Sequence, residues 1–156
     1  MAQTSAMPPV ALIGACQCGR ISYALAPRAY SVYACHCLEC QKQTASAFAL
    51  SMPVWAADMT LDGSPSIFVR ATESGTRTHC YFCPDCGTRL YHSSERSPAI
   101  LTVKAGTLDR AGMLAPVAHL WASRKQPWLL LPPDVPCFDT QPDDLKAWRD
   151  RLLPQH

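Results

Sequence analysis

Seven of the nine cysteines fall into three short groups, and cysteine thiolates are favoured ligands of zinc in proteins. A structural zinc takes four protein ligands, whereas a catalytic zinc commonly takes three and leaves one position open. Two pairs and a triplet therefore predict two zinc ions per chain, one in a closed structural site and one in an open catalytic site. The three groups are Cys16 and Cys18; Cys35, Cys37 and Cys40; and Cys83 and Cys86.

The two pairs have spacings that suit a shared metal ion. Cys83 and Cys86 enclose two residues and are followed by Gly87, which is typical of a zinc knuckle whose tight turn aims both sulfurs at one point. On an extended segment the side chains at positions i and i+2 lie on the same face, so Cys16 and Cys18 can also converge. Spacing alone does not decide which groups share a metal.

The triplet points to thiol chemistry rather than to hydrolysis. Zinc held by three thiolates carries a formal negative charge and is a weaker Lewis acid than zinc held by neutral histidines. Such a centre is poorly suited to making hydroxide at neutral pH, but metal binding deprotonates a coordinating thiol. Carbon–sulfur bond formation or cleavage is therefore the predicted reaction type.

Three alternatives to an open site are consistent with the residues. Cys80 could complete the triplet as a fourth ligand, which would make both sites structural. His36 or His79 could also close the site, although each is expected to be an ordinary packing or surface histidine. The triplet could instead be a metal-free redox switch, because three thiols permit disulfide exchange. Without a metal to bind, Cys80 and Cys137 are expected to be buried apolar side chains.

Length and charge limit the partners of the chain. The 156 residues fit one domain, and a net charge of +2 without long runs of like charge argues against nucleic acid as a partner. We identify no basic segment followed by an apolar one at the N-terminus, and no segment that could span a bilayer. The prediction is a cytoplasmic protein without membrane contact, where an odd number of cysteines favours metal binding over disulfides.

Short alternating segments predict a mainly antiparallel β-domain. We expect a flexible tail over residues 1–9, a zinc-binding β-domain over residues 10–131, and a proline-rich strap with a helix over residues 132–156 that packs on the same domain. A short helix is predicted at residues 39–45, and a longer one at residues 143–153. The predicted strands cover residues 20–25, 31–34, 47–52, 59–62, 66–71, 77–81, 89–92 and 100–104.

Three motifs in order resemble the glutathione-dependent formaldehyde-activating enzyme family, also called the centromere protein V family. They are Gly14-Ala-Cys-Gln-Cys-Gly19-Arg-Ile-Ser-Tyr23, Cys35-His-Cys-Leu-Glu-Cys-Gln-Lys-Gln-Thr44 and Phe82-Cys-Pro-Asp-Cys-Gly-Thr88. The resemblance implies an Mss4-like fold of antiparallel sheets built around zinc. After Thr44 the family usually has Gly-Ser, where this chain has Ala45-Ser46, so a requirement for positive φ would fall on Ala45.

The resemblance also assigns the ligand sets. It implies that Cys16, Cys18, Cys83 and Cys86 hold the structural zinc. It further implies that Cys35, Cys37 and Cys40 hold a catalytic zinc to which the sulfur of glutathione binds.

Together these observations predict a zinc-dependent carbon–sulfur lyase similar to S-(hydroxymethyl)glutathione synthase, with a small thiol and an aldehyde such as formaldehyde as substrates. The carboxylates of a glutathione-like thiol call for cations near the open site: Lys42 is the best placed by sequence, before Arg89, Arg124 and Lys125. Trp121 and Trp128 could form a pocket wall, but aromatic residues of a β-domain are more often core. The rival is a non-catalytic zinc module that binds a protein, and a homodimer is compatible with either reading.

Overall fold

The computed structural model describes residues 10–72 and 75–155, so the tail predicted over residues 1–9 lies outside the described residues. The described chain forms two β-sheets and two short α-helices. The strands are β1 Val10–Ala15, β2 Ser22–Arg28, β3 Val32–Cys35, β4 Ala49–Trp55, β5 Met59–Asp62, β6 Ser66–Ala71, β7 Arg77–Phe82, β8 Arg89–Ser94, β9 Ser97–Lys104 and β10 Pro116–Leu120. The helices are α1 Leu38–Thr44 and α2 Leu145–Leu152.

The smaller sheet has three strands in the order β1-β2-β5, and the larger has seven in the order β10-β3-β4-β9-β8-β7-β6. All neighbours pair antiparallel except β10 and β3, which are parallel. A mainly β fold with antiparallel sheets and a short C-terminal helix is thereby confirmed. Strand β10 and its parallel pairing with β3 were not predicted. Parallel strands are far apart in sequence and are not joined by a hairpin, so no local turn motif indicates their pairing.

One apolar core joins the two sheets. Tyr23 and Leu25 of the small sheet belong to the same buried cluster as Met52, Val54 and Val103 of the large one. Along β2 buried and more exposed residues alternate, as expected for a strand with one face on the core. Burial of these side chains contributes roughly 1.5–3 kcal/mol each and fixes the register of the strands that carry the cysteines.

A second, smaller cluster anchors the C-terminal helix. Trp148 of α2 packs edge-on against Tyr33, with ring centroids 5.2 Å apart, and joins the buried Ala118 and Leu120 of β10. The helix begins later than predicted because Asp144 is its N-cap, and the carboxylate of Asp144 accepts a bond from the Ala147 amide over 2.8 Å. Among the described residues, no helix has the length and apolar character needed to cross a membrane.

Helix α1 ends at the residue where the sequence departs from the family motif. Ala45 is its C-cap and has a left-handed conformation, with φ 48° and ψ 39°. The amide of Ser46 then donates to the carbonyl of Gln41 over 3.2 Å, which satisfies one of the last helical carbonyls. The left-handed conformation is energetically unfavourable for a residue with a Cβ atom, so glycine suits the position better than alanine.

The substitution Ala45→Gly is therefore expected to stabilise the protein by about 1 kcal/mol, because it relieves the left-handed strain. The melting temperature should rise by roughly 2–4 °C, measured by circular dichroism. Ala147→Gly is the matched control: Ala147 is exposed inside α2, where glycine should destabilise by about 0.5–1 kcal/mol. Equal losses of stability in both variants would contradict the strain at Ala45.

Candidate metal centres and the adjoining cavity

The two cysteine pairs lie on two turns that belong to different sheets. Cys16 and Cys18 follow β1 in the small sheet, whereas Cys83 and Cys86 lie between β7 and β8 in the large sheet. Their four sulfurs all lie within 4.8 Å of one another. Gly87, predicted in the second turn, is in the left-handed region with φ 75°, and Gly19 in the first turn has the same conformation with φ 77°.

The distances within this group fit a tetrahedral metal. Zinc–sulfur bonds of about 2.3 Å place the sulfurs of a tetrahedron about 3.8 Å apart. The Sγ atoms of Cys16 and Cys18 are 3.5 Å apart, and those of Cys18 and Cys83 are 3.7 Å apart. The Thr88 hydroxyl lies 3.2 Å from Cys86 Sγ and is the main cause that lowers the pKa of Cys86 to about 5. The sulfur–sulfur distances are those of a tetrahedral site, so the group fits a four-cysteine zinc site.

The triplet forms a second group on one short segment. Cys35 ends β3, Cys37 is the N-cap of α1, and Cys40 lies in its first turn. Their sulfurs also lie within 4.8 Å of one another, and the amide of Cys40 donates to Cys37 Sγ over 3.4 Å. Hydrogen bonds from the thiols of Cys35 and Cys40 hold the pKa of Cys37 far below its usual range, while the same interaction raises the pKa of Cys35.

Within the described residues, no fourth ligand joins the triplet. The group of mutually close donor atoms contains only the three cysteines. His36 instead lies 2.9 Å from His119, Nε2 to Nδ1, and His79 pairs with Glu95 at 3.4 Å. Cys80 is fully buried in β7, where its sulfur accepts a bond from Gln43 over 3.7 Å. The arrangement fits a metal with three thiolate ligands and a position left for an added ligand.

If the second site is open, Cys80→Ala should leave the zinc content at the wild-type value and leave thiol binding intact. The expected cost is about 1 kcal/mol of stability, because trimming a buried sulfur leaves a small cavity. Zinc content by mass spectrometry of the native protein is the measurement. Loss of one metal equivalent in this variant would identify Cys80 as the fourth ligand.

A cavity of about 330 Å³ adjoins the C-terminal half of α1. Gln43 and Thr44 line it, and positions three and four residues beyond Cys40 share its side of a helix. Two cations also line the cavity: Lys104, which is only 4% exposed, and Arg89, whose guanidinium lies 5.7 Å from the centroid of the Phe82 ring. The remaining lining residues are Ser46, Phe48, Leu50, Gly106 and Thr107.

Comparison with known proteins connects this geometry to a family. The sequence profile of the family "Glutathione-dependent formaldehyde-activating enzyme" matches residues 11–124, which contain all seven grouped cysteines. The chain belongs to this family.

The other comparisons add no function. A comparison with curated proteins finds no significant match. A crystal structure of a protein from Rhodobacter sphaeroides superposes with a TM-score of 0.49 and 17% sequence identity, over 81% of this chain and 99% of that one. The formaldehyde-activating family membership therefore comes from the sequence profile.

The cations named from the sequence take different places. Arg89 lines the cavity, whereas Lys42, Arg124 and Lys125 are not among its lining residues. Lys42 is exposed on α1, and its contact with substrate stays a prediction.

The tryptophans named from the sequence lie away from the cavity. Trp121 packs against the C-terminal cluster, and Trp128 is 71% exposed, so neither forms a wall of this cavity. Cys137, expected to be buried, is instead exposed on the proline-rich strap, where an isolated bridge pairs it with His119 of β10.

Sequence reasoning named Arg89 but did not find Lys104, Arg70 or His92, which the sheet brings close to it. Burial, followed by the charges of Lys104, Arg70 and Arg89, lowers the pKa of His92 well below its usual value, so His92 is neutral near pH 7. These residues come from β6, β8 and β9 and meet only through sheet pairing. The one sequence signal was Lys104 itself, a lone lysine that ends the apolar run of β9.

Proposed function

We propose that the protein is a zinc-dependent carbon–sulfur lyase that forms or cleaves the adduct of a small thiol with an aldehyde. Glutathione or a relative is the proposed thiol, and formaldehyde is the proposed aldehyde. The observation that carries the proposal is the triplet of convergent cysteine sulfurs, without a fourth protein ligand in the described chain, beside a cavity with two cations. Membership of the formaldehyde-activating family supports glutathione and formaldehyde as the proposed substrates.

The seven grouped cysteines form two proposed zinc centres with different roles. Cys16, Cys18, Cys83 and Cys86 are the proposed ligands of a structural zinc, and Cys35, Cys37 and Cys40 are those of a catalytic zinc. Zinc bound at the second centre would lower the pKa of a coordinating thiol. The substrate thiol would then bind as the thiolate. A reducing compartment such as the cytoplasm suits this chemistry, since it keeps both the ligands and the substrate thiol reduced.

The proposed reaction is an addition to a carbonyl group. The sulfur electron pair forms a bond to the aldehyde carbon, and the carbonyl π electrons move to the oxygen. The thiol gives up one proton and this oxygen takes up one. The product with formaldehyde is therefore an S-hydroxymethyl adduct, a hemithioacetal, and no oxidant is needed. Holding both reactants in one cavity turns a bimolecular encounter into a reaction between neighbours. The reverse cleavage uses the same positions.

The test is the rate at which glutathione and formaldehyde approach equilibrium. We expect the protein loaded with two zinc ions to speed the approach in proportion to its concentration, followed by NMR with ¹³C-labelled formaldehyde. A catalyst leaves the equilibrium position unchanged, which separates catalysis from simple binding of one reactant. A rate equal to that without protein would contradict the proposed activity.

A non-catalytic zinc module for protein binding is the second candidate, and one observation favours it. Three consecutive apolar residues of the edge strand β6, Ile67, Phe68 and Val69, are exposed to solvent. An exposed apolar edge strand is a common site of strand pairing with another chain. Under this reading the protein would not speed adduct formation, so the same kinetic experiment distinguishes the two.

A further inference from the structure

Lys104 places an ionisable group where a charge is costly. The last four residues of β9 are all buried, and Lys104 is only 4% exposed. Its Nζ atom is shielded from solvent and has no hydrogen-bond partner within residues 10–72 and 75–155. A buried ammonium group without an opposite charge is strongly disfavoured. An ammonium group at this position therefore calls for an anionic group inside the protein.

Strand pairing places Lys104 on the same face of the large sheet as the triplet. Lys104 pairs with Ser51 of β4. Cys35 pairs with Ala49, which lies two positions from Ser51 on the same strand. Side chains two positions apart on a strand, and those of directly paired residues, lie on one face. Met52, the neighbour of Ser51, belongs to the apolar core, so Lys104 and Cys35 share the face turned away from that core.

Helix α1 covers this face and offsets a different basic residue. Gln43 of α1 donates to the sulfur of Cys80 in β7 over 3.7 Å, and Glu39 lies 3.9 Å from Arg70 in β6. The ladder from β6 to β9 puts Cys80 and Arg70 on the same face as Lys104. Arg70 thus has an acid beside it, whereas Lys104 has no hydrogen-bonded acid in the described chain.

The charge of Lys104 reaches the triplet. The pKa of Cys40 is raised overall. The largest effects on it come from a hydrogen bond with Cys35, which lowers it, and one with Cys37, which raises it, followed by burial, which raises it. The charge of Lys104 then acts to lower the pKa of Cys40. A positive charge that favours a thiolate over a thiol also favours a metal centre that is anionic because it is built from thiolates.

The triplet has more need of a counter-charge than the four-cysteine group has. In the four-cysteine group Cys18 is exposed, so water can stabilise the charge there. The triplet has no exposed member, since Cys35 is buried and the other two are half-buried. Zinc with three thiolates carries one formal negative charge, and an added thiolate makes it two. A single ammonium group would offset half of that final charge.

We propose that Lys104 is the counter-charge of the triplet, and that its buried ammonium group stabilises both the bound metal and the added thiolate. The inference rests on the proposed function for the metal and the thiol. Lys104 touches neither the sulfurs nor the substrate in this account, and it is a positioning residue that acts through its charge. Affinity for metal should therefore depend on the charge at position 104 and not on the shape of the side chain.

The first test measures the zinc dissociation constant of the second centre. The full chain with its structural zinc in place competes for zinc with a coloured chelator. Lys104→Met should weaken zinc binding by about tenfold to a hundredfold, the usual cost of removing a group that supports metal ligands. Lys104→Arg keeps the charge and should bind zinc as the wild type does. Lys146→Met, at an exposed lysine of α2, is the matched control and should have no effect.

The order of these variants separates charge from packing. Methionine fills a buried site without the cost of burying a charge, whereas arginine is larger than lysine and brings that cost with it. If the side chain of Lys104 served only to fill space, Lys104→Met would resemble the wild type and Lys104→Arg would be the defective protein. That order would overturn the inference.

The second test measures the affinity of the metal for an added thiol. The probe is 2-mercaptoethanol, which has no carboxylate, so its binding reports on the charge of the sulfur alone. With both centres saturated with cobalt(II), Lys104→Met should bind this thiol about tenfold or more weakly than the wild type, because one unit of opposite charge is lost beside a dianionic centre. Equal affinities in the two proteins would contradict a role in holding the thiolate.

The charge of Lys104 can also be tested in the wild type, without a variant that could fail to fold. Lys104 is the buried lysine of the described residues, so its side-chain signal in ¹⁵N NMR should be the one protected from exchange with solvent. In the zinc-loaded protein at about pH 7 this signal should be that of an ammonium group. A neutral amine would overturn the inference.

Failure of this inference can be told apart from failure of the proposed function. A second zinc bound equally well by the wild type and Lys104→Met would remove the counter-charge and leave the proposed function standing. Charge-dependent binding of zinc and thiol without faster adduct formation would do the reverse. A wild-type protein that binds only one zinc would refute both.

Discussion

Cys83→Ser is expected to unfold the protein or make it precipitate. Cys83 is fully buried, and its group connects the turn after β1 in the small sheet to the turn after β7 in the large sheet. Zinc bound there would cross-link the two sheets, and the energy of binding a structural zinc is folding energy. The free energy of unfolding of a domain is only about 5–15 kcal/mol. The binding free energy of a structural zinc is of the same size, so loss of that zinc would remove most of the stability.

The matched variant for this prediction is Cys37→Ser, which removes a half-buried ligand from the other centre. Its three cysteines lie within one segment of six residues, and a metal there closes only a short loop and cross-links little. Cys37→Ser should therefore keep a β-type circular dichroism spectrum and a cooperative melt. Melting curves for Cys83→Ser that overlay those of the wild type would contradict the structural role of the first group.

Cys37→Ser is in turn expected to abolish the reaction. Changes in residues that merely support metal ligands commonly cost 10–100-fold in activity or affinity, so removal of a ligand should cost more than about a hundredfold. The variant should also contain one zinc fewer per chain. Both effects are measured on the same sample, by the approach of glutathione and formaldehyde to equilibrium and by elemental analysis.

Cys137→Ser is the control for that loss. Cys137 is exposed on the proline-rich strap and belongs to neither group of cysteines. The same exchange of sulfur for oxygen there should change neither rate nor zinc content. A Cys37→Ser protein that retains the wild-type rate would show that the triplet does not take part in the reaction.

Much of the grouping of the cysteines was predictable from the sequence, because candidate zinc ligands occur in local pairs. The x and xx spacings place Cys16 beside Cys18 and Cys83 beside Cys86 before any tertiary contact forms. The left-handed conformations of Gly87 and Ala45 follow from similar local rules. The strands were predictable for a related reason, since alternation of apolar residues is a local pattern.

What the sequence did not reveal depends on pairing between distant strands. Lys104 and Arg89 reach the same cavity only because β9 and β8 are neighbours in the large sheet, and His92 joins them by that pairing. Lys42, by contrast, is close to the triplet along the chain but is exposed on its helix. Closeness in sequence was therefore a poor guide to which cation lines the cavity.

The most direct test of the central claim is whether the second metal accepts an added thiol. Cobalt(II) can replace zinc, and its absorption spectrum changes when a sulfur ligand is added or lost. On titration with glutathione we expect a new sulfur-to-cobalt charge-transfer band that saturates at about one glutathione per chain. The band should be absent in Cys37→Ser. A spectrum that glutathione leaves unchanged in the wild type would mean that the second site is closed, and that the protein is a structural zinc module rather than an enzyme.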